Sequence, residues 1–127
     1  MLEFATVLNA TPAAIEAALP HLLPSCSRTS FGLLLELDRH AIAELAAQPI
    51  NSLALDARKQ RWFPAFTGNI ELRELPVGRT HLKVTGIIIP GMGPIEDKRW
   101  EHSVVTQAID ALLSILTGHY SHAYATH

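Results

Sequence analysis

Phe66-Thr67-Gly68-Asn69-Ile70-Glu71-Leu72-Arg73-Glu74-Leu75, then Pro76-Val77-Gly78, then Arg79-Thr80-His81-Leu82-Lys83-Val84-Thr85-Gly86-Ile87-Ile88-Ile89 is the stretch that decides the fold. Two runs that alternate apolar and polar residues flank a three-residue connection, the pattern of a β-hairpin. Closing the turn with Leu75 opposite Arg79 sets Arg73 opposite His81, Glu71 opposite Lys83 and Asn69 opposite Thr85. That face is polar and holds one opposite-charge pair. The other face carries Phe66, Gly68, Ile70, Leu72, Leu82, Val84, Gly86 and Ile88. A one-residue slip would turn every side chain over, so the agreement between the two runs specifies the register. Gly78 suits the left-handed position of the turn. Gly68 and Gly86, both on the apolar face, predict a bend or the close approach of a neighbour.

Downstream, Pro90-Gly91-Met92-Gly93-Pro94 breaks the sheet. The spacing then predicts a long helix from about Glu96 to Thr117, about 33 Å in length. Glu96 and Asp97 suit its positive end. Val104, Val105, Ala108, Ile109, Leu112, Leu113 and Leu116 form an apolar stripe along it. Gly118 is the expected C-cap, which makes residues 1–118 the domain and 119–127 a fraying tail. Upstream, residues 2–9 alternate as a strand. Thr11-Pro12 is a helix start, and Ile15, Leu19, Leu22 and Leu23 follow with helical spacing. Pro20 predicts that this helix bends or stops near Ala18. Residues 31–38 read as a strand with Leu33, Leu35 and Leu37 on one face. Residues 39–48 read as a short helix capped by Asp38, and 52–57 as a short strand with Leu53 and Leu55 inward. The order is strand, helix, antiparallel strands, long C-terminal helix. It is expected to fold as an α+β domain, a curved antiparallel sheet wrapped around that helix. The gap between such a sheet and its helix is where an apolar ligand fits.

Composition limits the function. Of 127 residues 48% are hydrophobic and 17% charged, against about 25% charged in an ordinary domain, and the mean hydropathy is +0.17. The apolar excess must line a cavity, cover an interface or fill a core. A net charge of −2 without a basic run speaks against nucleic-acid binding. No apolar run approaches the ~20 residues of a membrane span. Met1-Leu2-Glu3-Phe4 lacks the basic start and long apolar core of a signal peptide. With Cys26 as its single cysteine, the chain can form neither an internal disulfide nor a cysteine-based zinc site. This favours a cytoplasmic location.

The segment Arg61-Trp62-Phe63-Pro64-Ala65-Phe66-Thr67-Gly68-Asn69-Ile70-Glu71-Leu72 resembles the FP-x-F-x-G-x-L-x-L stretch of the SRPBCC (START-like, helix-grip) superfamily. Val77-Gly78-Arg79-Thr80-His81-Leu82-Lys83-Val84-Thr85-Gly86 is similar to its G-R-T-x-L-x-L-x-G strand. Ile89-Pro90-Gly91-Met92-Gly93-Pro94 is similar to the turn before its last helix, with Ile89 where the superfamily has tyrosine. The likeness covers about residues 60–115 and rests on structural signatures. It implies the helix-grip fold and a hydrophobic pocket between sheet and helix. Members bind lipids, polyketides and hormones, and some are cyclases or dehydratases.

The expected function is therefore binding of a small apolar, lipid- or polyketide-like molecule without turnover. The expected pocket lining is Trp62, Phe66, Ile70, Val84, Ile88, Trp100, His102, Val105, Ile109 and Leu112. Each tryptophan has a plainer reading as core packing, and His102 as a solvent-facing helix residue. A cyclase- or dehydratase-type enzyme is an alternative. It needs a polar group such as His102, which could carry a proton, or Arg61, which could pair with a carboxylate, on the cavity wall. An interaction module, for instance a homodimer with a filled core, is another. His119 and His122, with His127, have a spacing that metal ligands use, but they lie in the expected tail and are read as a polar end. No catalytic set, metal site or cofactor motif is read from the sequence. Pro90–Pro94 lacks the Lys-Ser/Thr ending of a phosphate loop.

Overall fold

The computed structural model describes residues 1–46, 62–91 and 98–125, with side chains as far as Tyr120. Five strands, β1 (Leu2–Leu8), β2 (Cys26–Thr29), β3 (Gly32–Leu37), β4 (Ala65–Leu75) and β5 (Arg79–Ile89), form one antiparallel sheet in the order β1-β5-β4-β3-β2. Three helices, α1 (Pro12–Leu22), α2 (Arg39–Ala46) and α3 (Lys98–Ala125), complete the described chain. The domain is α+β, an open sheet carrying a long C-terminal helix in a helix-grip-like layout. The expected strand at 52–57 lies outside the described residues, as do Glu96, Asp97 and the last two residues of the expected helix 39–48.

The β4–β5 hairpin has the expected register throughout: Leu75 faces Arg79, Arg73 faces His81, Glu71 faces Lys83 and Asn69 faces Thr85. Lys83 Nζ lies 3.4 Å from Glu71 and 3.8 Å from Glu3 on the outer face. On the inner face Phe66, Gly68, Ile70, Leu82, Val84 and Gly86 are buried. The turn holds two residues in the left-handed region, Val77 (φ 65°) and Gly78 (φ 67°). Only Gly78 is anticipated by composition, since a β-branched residue is disfavoured there. β1 adds to the far side of β5, Leu2 facing Gly86 and Leu8 facing Thr80. The buried Thr80 hydroxyl donates to the Ala10 carbonyl at 2.7 Å and fastens the chain leaving β1.

Both expected N-caps are present. Thr11 Oγ1 accepts the Ala14 N–H at 3.3 Å, and Asp38 Oδ1 accepts the Ala41 N–H at 2.8 Å. Each satisfies an orphan donor of the first helical turn. α1 does not stop near Ala18: it runs through Pro20 to Leu22. Proline forfeits one hydrogen bond there. The wholly buried Ile15 and Leu19 and the nearly buried Leu23 hold the helix against the core, each contributing about 1.5–3 kcal/mol. The Cys26–Thr29 stretch, where no strand was expected, forms β2. Just Cys26 of this strand is buried, so no alternation betrays it. Its ladder with β3 and the Arg28–Glu16 pair at 3.0 Å to α1 hold it in place.

The α3 stripe is as expected, every residue from Val104 to Leu116 named above being buried. Its end is not. The helix passes through Gly118 and reaches Ala125. Tyr120 continues the buried stripe at 7% exposure, which gives the extra turns something to hold. Gly118 is not in the left-handed region and has nothing within 4 Å of the place a Cβ would occupy. It is an ordinary, open helix position. Gly118→Ala is therefore expected to stabilise the protein by about 0.5–1 kcal/mol. In thermal unfolding this appears as a rise of about 2–5 °C. A fall would mean that the glycine ends the helix after all.

The core lies between the inner sheet face and the helices. α3 packs on β1, β5 and α2, while α1 packs on β2 and β4. Phe66, Ile70 and Val84 of the sheet share one contiguous apolar cluster with Val105, Ile109 and Leu112 of α3. The two apolar walls touch.

Candidate functional site

A cleft of about 420 Å³ opens where the sheet and α3 part company. Its apolar floor is Leu2 of β1, Ile87 and Ile88 of β5, and Pro90. Its other wall is the first turns of α3, with Lys98, Glu101 and His102. The sequence builds it locally. Leu2 faces Gly86, so the last residues of β5 run on past the start of β1 and leave their isoleucines to line a hollow. Pro90 then ends the strand.

The turn after β5 is tied down on both sides. Arg39 of α2 donates to the Pro90 carbonyl at 2.9 Å. The Gly91 N–H donates to Glu101 Oε2 at 2.7 Å, in a part-buried contact. Gly91 has no room for a side chain: a Cβ there would meet the Trp62 carbonyl carbon at 2.6 Å and the Phe63 oxygen at 3.0 Å. Glu101 thus fixes α3 against the exit of β5, leaving Lys98 and His102, one helical turn apart, on the cleft wall.

The structure divides the expected pocket residues into three groups. Ile88 and His102 line the cleft. Phe66, Ile70, Val84, Val105, Ile109 and Leu112 sit in the core cluster. Trp62 and Trp100 are partly exposed, at 36% and 41%, beside the anchored turn. Trp100 stacks edge-on against Phe63, with centroids 5.1 Å apart. Arg61 lies outside the described residues. Met1, Leu2, Ile87, Pro90, Lys98 and Glu101 also line the cleft and were not anticipated from the sequence. The i, i+4 spacing of Lys98 and His102 is the signal that could have found two of the wall residues. The floor has no local signal, because Leu2 and Ile87 stand far apart in sequence.

Two other hollows differ in character. One, of about 400 Å³, lies on the outer sheet face among Thr67, Asn69, Glu71, Lys83 and Thr85. The other, of about 370 Å³, lies beside Asn9 and the Val77–Arg79 turn. Neither combines an apolar floor with the helix wall. Among the described residues no three His, Cys, Asp or Glu side chains form a metal-binding group, and no helix is long and apolar enough to cross a membrane. Burial pushes the Cys26 thiol above its usual range. It stays protonated near neutrality, a poor nucleophile. Burial also pushes the Tyr120 phenol up.

Comparison with protein-family models, curated proteins and solved structures gives no match.

Proposed function

We propose that this is a helix-grip binding domain of the SRPBCC kind that takes a small apolar molecule, without turnover, between its sheet and its C-terminal helix. The observation that supports this is the cleft at the open end of that layer, with its floor of Leu2, Ile87 and Ile88 and a volume within the roughly 300–1,000 Å³ of ligand sites. N-phenyl-1-naphthylamine, an uncharged apolar fluorophore, is expected to bind saturably, one per chain. Leu2→Ser, which removes floor at a half-buried position, is expected to weaken it about tenfold, the cost of about 1.4 kcal/mol of lost apolar contact. An absence of saturable binding, or binding indifferent to Leu2→Ser, rejects the reading.

A second reading, a cyclase- or dehydratase-type enzyme on the same layout, draws on His102 as a titratable group on the cleft wall. It requires turnover of a polyketide-like substrate that stops in His102→Gln while binding persists.

A further inference from the structure

We infer that the molecule held in this cleft is an amphiphile with a single anionic head, a carboxylate or sulfonate, which Lys98 and His102 grip while the apolar body lies on Leu2 and Ile88. This rests on the binding function proposed above and narrows its ligand.

The argument starts from what faces the cleft. Lys98 and His102 are four residues apart on α3 and both line the wall. Residues at that spacing stand one above the other on a helix face. Among the described residues neither has a hydrogen bond or ion pair. Three other cationic groups rest on carboxylates, Arg28 on Glu16, Lys83 between Glu71 and Glu3, and His40 on Glu44; what sets Lys98 and His102 apart is that both line this cleft. Lysine offers donors and no acceptor, and a histidine ring offers at least one donor. A head group that only accepts fits such a pair better than a hydroxyl, which must also donate. Placed beside an apolar floor, the pair matches one molecule with two ends.

Glu101 sets the charge of that head. It is the one carboxylate on this wall among the described residues, and its Oε2 is committed to the Gly91 N–H. Held in place by the turn, it cannot swing away from a bound anion. Its charge offsets Lys98, so the wall tolerates a monoanion and repels a dianion such as a phosphate monoester. From the sheet side the cleft presents Met1, Leu2, Ile87, Ile88 and Pro90, all with uncharged side chains. The side chains able to hold the head therefore stand on the helix wall.

The test uses two fluorophores with one skeleton, 1-anilinonaphthalene-8-sulfonate and the uncharged N-phenyl-1-naphthylamine. Lys98 and His102 are exposed, so Lys98→Gln with His102→Gln is expected to leave the thermal midpoint unchanged. This double variant is expected to weaken the sulfonate about tenfold or more, as loss of charge-assisted hydrogen bonds does. The uncharged probe should stay within about twofold. Added salt should weaken the sulfonate alone. Phenyl phosphate, a dianion near neutrality, is expected not to displace the sulfonate, whereas decanoate is. If the double variant binds both probes as the native chain does, the head-group inference is overturned while the apolar site stands. If Leu2→Ser leaves both probes unaffected, the sulfonate sits elsewhere and the cleft itself is rejected. Displacement by phenyl phosphate as readily as by decanoate overturns the monoanion assignment.

Discussion

Phe66→Ala is expected to cost about 3–5 kcal/mol, a large part of the roughly 5–15 kcal/mol that holds a domain of this size together. Among the described residues Phe66 is the largest fully buried side chain, at 1% exposure. Its ring meets Phe4 edge-on with centroids 6.5 Å apart, and it lies over the two facing glycines, Gly68 and Gly86. Neither glycine has a side chain that could relax into the space left by the ring, so the void stays open. The measurement is urea unfolding, with the midpoint lowered at unchanged slope. The void is apolar, and a small arene such as benzene is expected to recover part of the loss in the variant and none in the native chain. A cost below about 1.5 kcal/mol would mean that the sheet and α3 collapse together once the ring is gone.

Gly86→Ala is expected to cost about 2–4 kcal/mol, by the opposite mechanism. A Cβ at Gly86 would run into the Thr67 carbonyl oxygen, and it would stand 2.6 Å from Phe66 Cζ and 2.7 Å from Gly68 Cα. Two of these three neighbours are backbone of the paired strand and cannot move without opening the ladder. Overpacking of this sort costs about 1–3 kcal/mol and sometimes more. In an unobstructed strand the same change would be favourable by about 0.5–1 kcal/mol, so the sign of the measured effect is itself the result. Phe66→Leu in the Gly86→Ala background removes the ring atom but leaves the backbone contacts. It is expected to return part of the loss, with a coupling of about 0.5–3 kcal/mol between the two sites. A neutral Gly86→Ala would show that the strands can separate freely there, and that the ring does not depend on the glycine pair.

These two substitutions mark where reading the sequence stopped. The inward placement of Gly68 and Gly86 was legible from parity, with either a bend or the close approach of a neighbour expected there. That the close neighbours are the backbone of the facing strand together with the Phe66 ring was not. The sequence places Phe66 on the same wall as the glycines, but says nothing about which way a ring turns. The same holds for the site. Ile88 was legible as a cavity candidate because the strand period pointed it toward the sheet–helix layer, and His102 because a titratable ring stands one turn before the apolar stripe. Phe66, Ile70, Val84, Val105, Ile109 and Leu112 carry the same periodic signal as Ile88, and the structure places them in the closed core. Periodicity separates inside from outside but does not separate core from cleft.

Local chemistry was enough for the elements themselves. The β4–β5 register follows from a period of two on both sides of a short turn. The α3 stripe follows from a period near 3.6, and the starts of α1 and α2 follow from Thr11 and Asp38. In each case the interacting residues are close in sequence, so one stretch carries the whole pattern. Where burial outweighed a local rule the helix ran on: of the bend or stop expected at Pro20 the stop is absent, and Gly118 did not end α3, because Leu19 and Tyr120 belong to the buried core cluster.

What the sequence by itself determined, then, is an antiparallel hairpin, its register, a long amphipathic helix and two facing apolar walls. Only the tertiary structure decided that the walls meet over most of their length and part at one end. There Leu2, from the first strand, lies near Ile87 and Ile88 from the last, opposite Lys98 and His102. The physical reason is distance along the chain. β1 and β5 are brought together by a ladder that closes a loop of about seventy residues, Leu8 facing Thr80, and the turn after β5 is set by Arg39 and Glu101 reaching it from two different helices. Such contacts depend on how finished elements dock, and the spacing of residues within any one element does not record it.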